Sequence, residues 1–291
     1  MSSQPAPIVV GYDGSPGSQS ALRWAVGEAV RELAPLRILE AFELIVTVRP
    51  TPGHVVPLDA LRTARQKGLD AVADTVRLQH PELQVETSLV GGAAVPALLD
   101  EAGRARLVVL GSRGLGGWSG LLVGSVAVQV TTHARCPVIV IPHDLRPHAH
   151  EGATVAVGVD GSKVSAKAID FAFDQAEALH ARVVALHAWS SPFLTYSDGA
   201  SMLQFDEDKI QEEGRLLVAE SVAGAAADHP DVQWTTELVS GSAAQALVRR
   251  ANSADLVVVG SRGRGGFTGL LLGSVGQSVL HHAQSPVAIV R

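Results

Sequence analysis

A glycine-rich pattern that occurs twice constrains this chain more than any other feature. The first copy has Gly-Ser-Arg-Gly at 111–114, then nine residues, then a Gly-Ser pair at 124–125. The second copy repeats both parts with the same spacing at 260–263 and 273–274. An apolar run of four residues leads directly into each copy. This order predicts a buried strand, a loop and then a helix that begins at the Gly-Ser pair.

Such a loop is suited to hold an anion. Glycines allow backbone N–H groups to approach a ligand closely, and the helix points its unsatisfied N–H groups and positive dipole end at the same place. The pattern therefore predicts a phosphate site, and a nucleoside triphosphate is the expected ligand. Ser125 and Ser274 are also typical of simple helix N-caps, a role that the same helix terminus can combine with phosphate binding.

The repetition extends beyond the loops. The segment VGYDGS at 10–15 recurs as VGVDGS at 157–162, a shift of 147 residues, whereas the glycine loops are shifted by 149. A length difference of two residues near the middle of a duplicated chain explains both shifts. The 291 residues therefore divide into two domains of ordinary size, which we place at 1–145 and 146–291.

The composition narrows the class of protein without naming a function. With 46% hydrophobic and 18% charged residues, the chain can bury substantial cores. It has neither an apolar run long enough to cross a bilayer nor the features of a secretion signal, which predicts a cytoplasmic protein without membrane contact. A net charge of −6 with scattered basic residues argues against nucleic acid as a partner. The single cysteine, Cys136, excludes an internal disulfide, and Ser285 at its matched position argues against a shared nucleophile.

The segment at 142–152 has the composition of a connector between two domains. It carries two prolines and ends in glycine. Its histidines, His143, His148 and His150, are of a type that binds metal ions. A connector does not supply the fixed, supported geometry that a metal site needs, so we expect no metal there.

Each half alternates strand and helix patterns. The expected strands of the first half are Ile8–Tyr12, Leu36–Leu44, Gln84–Leu89, Leu107–Leu110 and Pro137–Ile141, with helices from Ser15, over Leu58–Leu78, over Val95–Ala102 and from Ser125. The second half repeats this order. Five strands alternating with four helices predict an α/β fold, with two tandem doubly wound domains of five parallel strands each.

Sheets of this kind bind ligands outside the carboxyl ends of their strands, where the winding direction reverses. With the strand order 3-2-1-4-5, that point lies between the first and fourth strands. Asp13 ends the first strand and Gly111 ends the fourth. The acidic residue and the glycine loop are therefore expected to face one crevice.

These residues resemble the universal stress protein family in its tandem, two-domain form. The spacing G-x-x-G, nine residues, G-[ST] is similar to the signature of its ATP-binding branch, and the resemblance extends from Ile8 to Val290. It implies an adenine nucleotide alpha hydrolase-like fold and ATP accompanied by Mg²⁺ as the ligand. Domains of the family associate through their last strands, so we expect the two halves to form an internal pseudo-dimer and the chains to pair again as a homodimer. The resemblance also implies protein partners that the sequence does not identify.

The resemblance places a nucleotide site in each half. Asp13 and Asp160 match an acidic residue beside the nucleoside; each alone is also typical of a turn former. The other matched positions comprise the glycines before each Asp, an alanine whose backbone contacts adenine, the ribose and phosphate contacts, and a valine that continues the backbone cradle into the helix. They are Gly11, Ala41, Gly111, Gly114, Gly124, Ser125 and Val126 in the first half, and Gly158, Ala188, Gly260, Gly263, Gly273, Ser274 and Val275 in the second.

Two pairs of side chains near the loops leave alternatives open. Arg113 and Arg262 either clamp phosphate or face solvent. Trp118 and Phe267, in the middle of the loops, either cover the ligand or contact another subunit.

The leading hypothesis is a nucleotide-dependent regulator or sensor of a stress response. A weak ATPase or phosphotransferase would need a lysine at the terminal phosphates, a Mg²⁺-binding acid and a group that positions water. The chain has no G-x-x-x-x-G-K-[ST] motif. A scaffold with vestigial pockets would not need two intact loops.

The two halves differ near their loops. Leu115 stands where the second half has Arg264, and Arg106 stands where it has Asp255. We therefore expect the first site to hold phosphate less strongly than the second.

Overall fold

The computed structural model describes residues 5–43, 58–115, 123–143, 145, 152–189, 207–264 and 271–291. The chain forms two compact units, Met1–His143 and Asp144–Arg291. The expectations for Leu44, Trp118, His148, His150 and Phe267 lie outside the described residues.

The first unit alternates strands and helices throughout. Its elements are β1 (Ile8–Gly11), α1 (Pro16–Arg31), β2 (Leu36–Phe42), α2 (Leu58–Gln79), β3 (Val85–Gly91), α3 (Ala94–Ala102), β4 (Leu107–Gly111), α4 (Ser125–His133) and β5 (Val138–Ile141). The beginning of α1 is capped by Ser15, whose side chain accepts the N–H of Ser18, while Pro16 occupies the first turn.

The second unit repeats the same order. Its elements are β6 (Thr154–Gly158), α5 (Lys163–Leu179), β7 (Arg182–Trp189), α6 (Glu207–Asp228), β8 (Trp234–Ser240), α7 (Ala243–Ala251), β9 (Leu256–Gly260), α8 (Ser274–His282) and β10 (Val287–Val290). Ser162 caps α5 by accepting the N–H of Ser165. The cap at 162 matches the cap at 15, so the duplication extends to the local signals that start the helices.

In the described part of each unit, five parallel strands follow the predicted order. In the first unit the order is β3-β2-β1-β4-β5, and in the second it is β8-β7-β6-β9-β10. In the register of the first unit, Val10 of β1 lies opposite Ile38 of β2 and Val109 of β4. Helices cover the sheet, and Ile8, Val9 and Val10 are fully buried. That burial explains why the central strands are nearly continuous apolar runs.

The observed elements differ from the expected ones mainly at their ends. β3 begins and ends later than predicted, at Val85 and Gly91, and β5 begins at Val138, one residue after Pro137. Proline has no N–H to donate to a neighbouring strand, which is consistent with its place just before β5. In the parts of the chain that the structure describes, every helix is too short or too polar to cross a membrane.

Candidate functional site

A cavity lies at the carboxyl ends of β1 and β4 in the first unit, and a second one lies at the ends of β6 and β9. Their volumes are about 480 Å³ and 550 Å³, within the range of small-molecule sites. The first is lined by all nine residues predicted for that half, Gly11, Asp13, Ala41, Gly111, Arg113, Gly114, Gly124, Ser125 and Val126. The second is lined by the other nine, Gly158, Asp160, Ala188, Gly260, Arg262, Gly263, Gly273, Ser274 and Val275.

The N-termini of α4 and α8 reach these cavities without a capping side chain. The N-cap positions are Gly124 and Gly273, and neither helix has a side-chain hydrogen bond at its cap. The interpretation of Ser125 and Ser274 as N-caps is therefore wrong, because both serines already belong to the first turn. The first intrahelical hydrogen bond of α4 runs from the N–H of Val128 to the carbonyl of Gly124. The N–H groups ahead of it have no acceptor within the helix.

Backbone hydrogen bonds hold each helix terminus against the preceding strand. In the first unit, the N–H of Gly124 donates to the carbonyl of Ser112 at 2.7 Å, and the N–H of Ser112 donates to the carbonyl of Ile141 at 2.7 Å. In the second unit, the corresponding bonds from Gly273 and Ser261 measure 2.8 Å and 2.7 Å. The position of the cap is thus set by the end of the sheet and does not depend on a side chain.

The carboxylate of Asp13 connects the end of β1 to the glycine loop. Its Oδ1 accepts the N–H of Ser15 at 3.0 Å, and its Oδ2 accepts the N–H of Leu115 at 2.9 Å. Asp160 makes the same two bonds, to Ser162 and Arg264, both at 2.9 Å. The first bond of each pair is the local turn bond that an aspartate at this place favours, and the contact with a nucleoside stays a prediction. The second bond is a long-range clamp that the sequence did not indicate.

The environment of Asp13 favours its charged form. Burial raises the pKa of this carboxyl, but hydrogen bonds from the side chain and backbone of Ser15, the backbone of Leu115 and the side chain of Ser18 outweigh it. The net result is a pKa below the ordinary value for aspartate. A carboxylate that stays ionised keeps both acceptor oxygens available for the clamp.

Two loop glycines are required by close packing inside the protein. A Cβ at Gly111 would lie 2.5 Å from the carbonyl carbon of Gly17 in α1. A Cβ at Gly114 would collide with Oδ2 of Asp13, and at Gly263 it would lie 2.6 Å from Oδ2 of Asp160. Part of the glycine pattern therefore permits the end of β4 to pack closely against α1, and the loop to pack against the aspartate of the clamp.

The two loop arginines lie in different environments. Arg113 lines the first cavity and is half-buried, and its Nε is buried with no hydrogen-bond partner among the described residues. Arg262 lines the second cavity and is exposed. A buried guanidinium nitrogen without an acceptor favours an anionic ligand over the solvent-facing alternative for Arg113.

Apolar walls were not anticipated from the sequence. Ala94 and Leu98 of α3 line the first cavity, and Ala243 and Leu247 of α7 line the second. Within each helix the two residues are four apart, so they lie on one face. That spacing, repeated at the same shift of 149 residues as the loops, was the available signal.

The side chains beside the two alanines point to different partners. Glu40, next to Ala41, is buried and pairs with Nη1 of Arg65 at 2.5 Å. His187, next to Ala188, has its Nδ1 2.8 Å from the carbonyl of Val159. Neither Glu40 nor His187 lines its cavity, so these differences leave the alanine positions free on the cavity side.

The residues present fit an adenine nucleotide. Each site combines an apolar wall, for a flat base, with an uncapped helix terminus and a guanidinium group at the glycine loop. No group of three or more potential metal ligands occurs among the described residues. Any Mg²⁺ would therefore be held largely by phosphate oxygens and water.

The fold and the paired cavities define a tandem doubly wound α/β protein with one anion-suited site at the switch point of each unit. The universal stress protein family matches residues 6–142 and 153–291, and the chain belongs to this family.

Known relatives match nearly the whole chain. Universal stress protein Rv2623 of Mycobacterium tuberculosis is 38% identical over 294 residues, which cover 98% of this chain and 96% of its own length. Universal stress protein Rv2005c of the same organism is 36% identical over 292 residues, with the same coverage of both chains. The crystal structure of a universal stress protein from Archaeoglobus fulgidus covers 98% of this chain and 96% of its own, with a TM-score of 0.66 and 21% identity. At that identity the last comparison supports the fold alone.

Proposed function

We propose that this universal stress protein is an ATP-binding regulator or sensor of a stress response, with one adenine nucleotide site in each unit. The observation that carries the proposal is the glycine-capped N-terminus of α4 and of α8. Each terminus reaches a cavity of suitable size, and neither is occupied by a capping side chain. Unsatisfied N–H groups at a helix terminus bind phosphate groups well.

The proposal gives each group of residues a role. The backbone of Ala41 or Ala188 would hold adenine against the apolar wall of α3 or α7. The N–H groups around Ser125 and Val126, or around Ser274 and Val275, would hold the phosphates. Arg113 and Arg262 would add positive charge at the same end. Asp13 and Asp160 support the loop through the clamp and lie on the cavity surface where a ribose would be placed.

Mg²⁺ is the expected companion of the triphosphate. When bound, it would neutralise part of the negative charge on the phosphate oxygens. Among the described lining residues, each cavity has one carboxylate, Asp13 or Asp160, and it already accepts two N–H groups. These residues are therefore better suited to hold the loop than to supply a complete metal site.

A binding role fits the lining residues better than steady catalysis. No lysine or histidine is among the described side chains that line either cavity, and the carboxylate of each is committed to the clamp. A hydrolase would need a group that positions water and a cation at the terminal phosphate. A scaffold with vestigial sites is disfavoured because a protein without a ligand has no need for an uncapped helix terminus in each unit.

Native mass spectrometry of the full chain with Mg²⁺ and ATP tests the proposal. We expect two intact ATP adducts per chain, and the same spectra report whether a homodimer forms. The Asp231→Asn variant, which changes an exposed turn residue away from both cavities, is the matched control and should bind like the wild type. Absence of adducts at saturating ATP would refute the binding role, and rapid conversion to ADP would favour an enzyme.

A further inference from the structure

The two cavities differ in positive charge at the glycine-loop end. Arg262 and Arg264 both line the second cavity, whereas Arg113 is the only cationic residue among the described lining residues of the first. The residue that matches Arg264 in the first unit is Leu115, which is 72% exposed. The difference therefore lies in a side chain at the mouth of the cavity.

A third arginine, Arg291, contacts the segment before the N-cap of α8 but is not among the described residues that line the second cavity. Arg291 follows β10 and donates from Nη2 to the carbonyl of Leu271 at 3.3 Å, two residues before the N-cap Gly273. Burial and then repulsion from the charge of Arg262 lower the pKa of Arg291. The matched residue in the first unit is Pro142.

Apart from Arg264, the described lining residues carry the same charges in both cavities, namely one aspartate and one arginine. The first turns of α4 and α8 contain no charged residue. Each cavity also has one aspartate, which makes the same two hydrogen bonds. The guanidinium group of Arg264 is thus the electrostatic difference between the described lining residues of the two cavities.

We propose that the two sites discriminate differently by phosphate number: the second-unit site selects adenosine triphosphate over the monophosphate, and the first-unit site discriminates less. This inference rests on the proposed function. Each further phosphate adds negative charge at the loop end, where the second site offers Arg264 in addition to the arginine common to both sites. The helix termini, which hold the phosphate nearest the ribose, are alike and give the two sites similar affinity for the monophosphate.

Reciprocal exchange of one side chain tests the proposal. The Arg264→Leu variant gives the second site the leucine of the first site, and the Leu115→Arg variant gives the first site the arginine of the second. Both positions use only their backbone N–H in the clamp, at 2.9 Å from the aspartate in each unit, so the exchange leaves that bond in place. Arg215→Leu on the exposed surface of α6 removes the same charge away from the cavities and is the control.

Hydrogen exchange measured by mass spectrometry reads each site separately in the full chain. Peptides covering 123–133 and 271–282 are followed during titration with ATP and Mg²⁺, and separately with AMP. We expect the ratio of ATP to AMP affinity to be about fivefold higher at 271–282, a difference typical of one partly exposed charge pair. Arg264→Leu should lower that ratio about fivefold, Leu115→Arg should raise the ratio at 123–133, and Arg215→Leu should change neither.

Equal ratios at the two peptides, or ratios that do not respond to the exchange, would overturn the inference while leaving the proposed function in place. Protection of neither peptide by millimolar nucleotide would overturn both.

Discussion

The carboxylate of Asp13 accepts the backbone N–H of Leu115 at 2.9 Å, across 102 residues of chain. Asp160 and Arg264 repeat this bond at 2.9 Å in the second unit. In both units the bond ties the end of the first strand to the glycine loop. We infer that a ligand binds to a loop whose entry is already held in place, which lowers the entropic cost of binding.

Replacing Asp13 with asparagine should loosen this clamp. Asparagine keeps one acceptor oxygen, but its amide group would face the second N–H donor. We expect Asp13→Asn to lower the free energy of unfolding by about 1–2 kcal/mol and to weaken ATP binding. Urea unfolding and calorimetric titration measure the two effects. Asp231→Asn should alter neither, and a wild-type result for Asp13→Asn would show that the clamp contributes nothing.

The clamp should also depend on pH in a defined direction. The pKa of Asp13 is lower in the folded state than its ordinary value of about 3.9. Its ionisation therefore stabilises the fold fully above that value, and this stabilisation is lost as pH falls through the lower folded-state pKa. The difference in unfolding free energy between wild type and Asp13→Asn should shrink as pH falls below about 4. Urea unfolding between pH 7 and 2 tests this, and a constant difference would contradict it.

The glycine caps allow phosphate binding to be separated from folding. A Cβ at Gly124 or Gly273 would have its nearest protein contact at 3.5 Å, an ordinary packing distance. We expect Gly124→Ala and Gly273→Ala each to cost at most about 1 kcal/mol of stability. By crowding the anion, each should weaken ATP binding at its own site about tenfold. Titration calorimetry beside thermal unfolding measures both quantities, and normal binding by both variants would show that the phosphate site is assigned wrongly.

Gly111 and Gly260 should respond differently to the same substitution. The added Cβ at Gly111 would lie 2.5 Å from the carbonyl carbon of Gly17, whereas at Gly260 the nearest atoms are a side-chain methyl of Val164 at 3.0 Å and the backbone oxygen of Arg262 at 3.1 Å. The contacts at Gly111 are shorter and are all with backbone atoms, which move aside less easily than a side chain does. We expect Gly111→Ala to cost about 2–3 kcal/mol and Gly260→Ala about 1 kcal/mol. Differential scanning calorimetry compares them, and equal costs would argue against this packing explanation.

The thiol of Cys136 should react slowly with disulfide reagents in the folded protein. It is buried, and burial raises its pKa to about 11. Only the thiolate reacts with disulfide reagents, so at pH 8 the folded protein should react at least about 100-fold more slowly than the unfolded chain. The rate of reaction with a chromogenic disulfide, with and without urea, gives this ratio. Similar rates in the two states would mean that the first unit opens readily around this residue.

The sequence alone was sufficient for the duplication, the fold class and the strand order. Alternating strand and helix periods are local properties, and a parallel sheet with covering helices is the arrangement that buries all of its apolar runs. The glycine spacing predicted correctly where α4 and α8 begin, but the alternative that serines cap these helices is wrong. Ser125 and Ser274 have the residue type that favours an N-cap, yet backbone bonds from the sheet place the preceding glycines there.

Tertiary structure decided which of these residues support the site and which line it. The Asp13–Leu115 bond, the contact of Gly111 with Gly17 and the wall formed by Leu98 join residues far apart in sequence. The pattern of residues in one segment indicates its secondary structure and the chemical groups that it carries. Contacts between distant segments depend on how the strands are ordered and how closely the helices pack on them, and these distances exist only once the chain has folded.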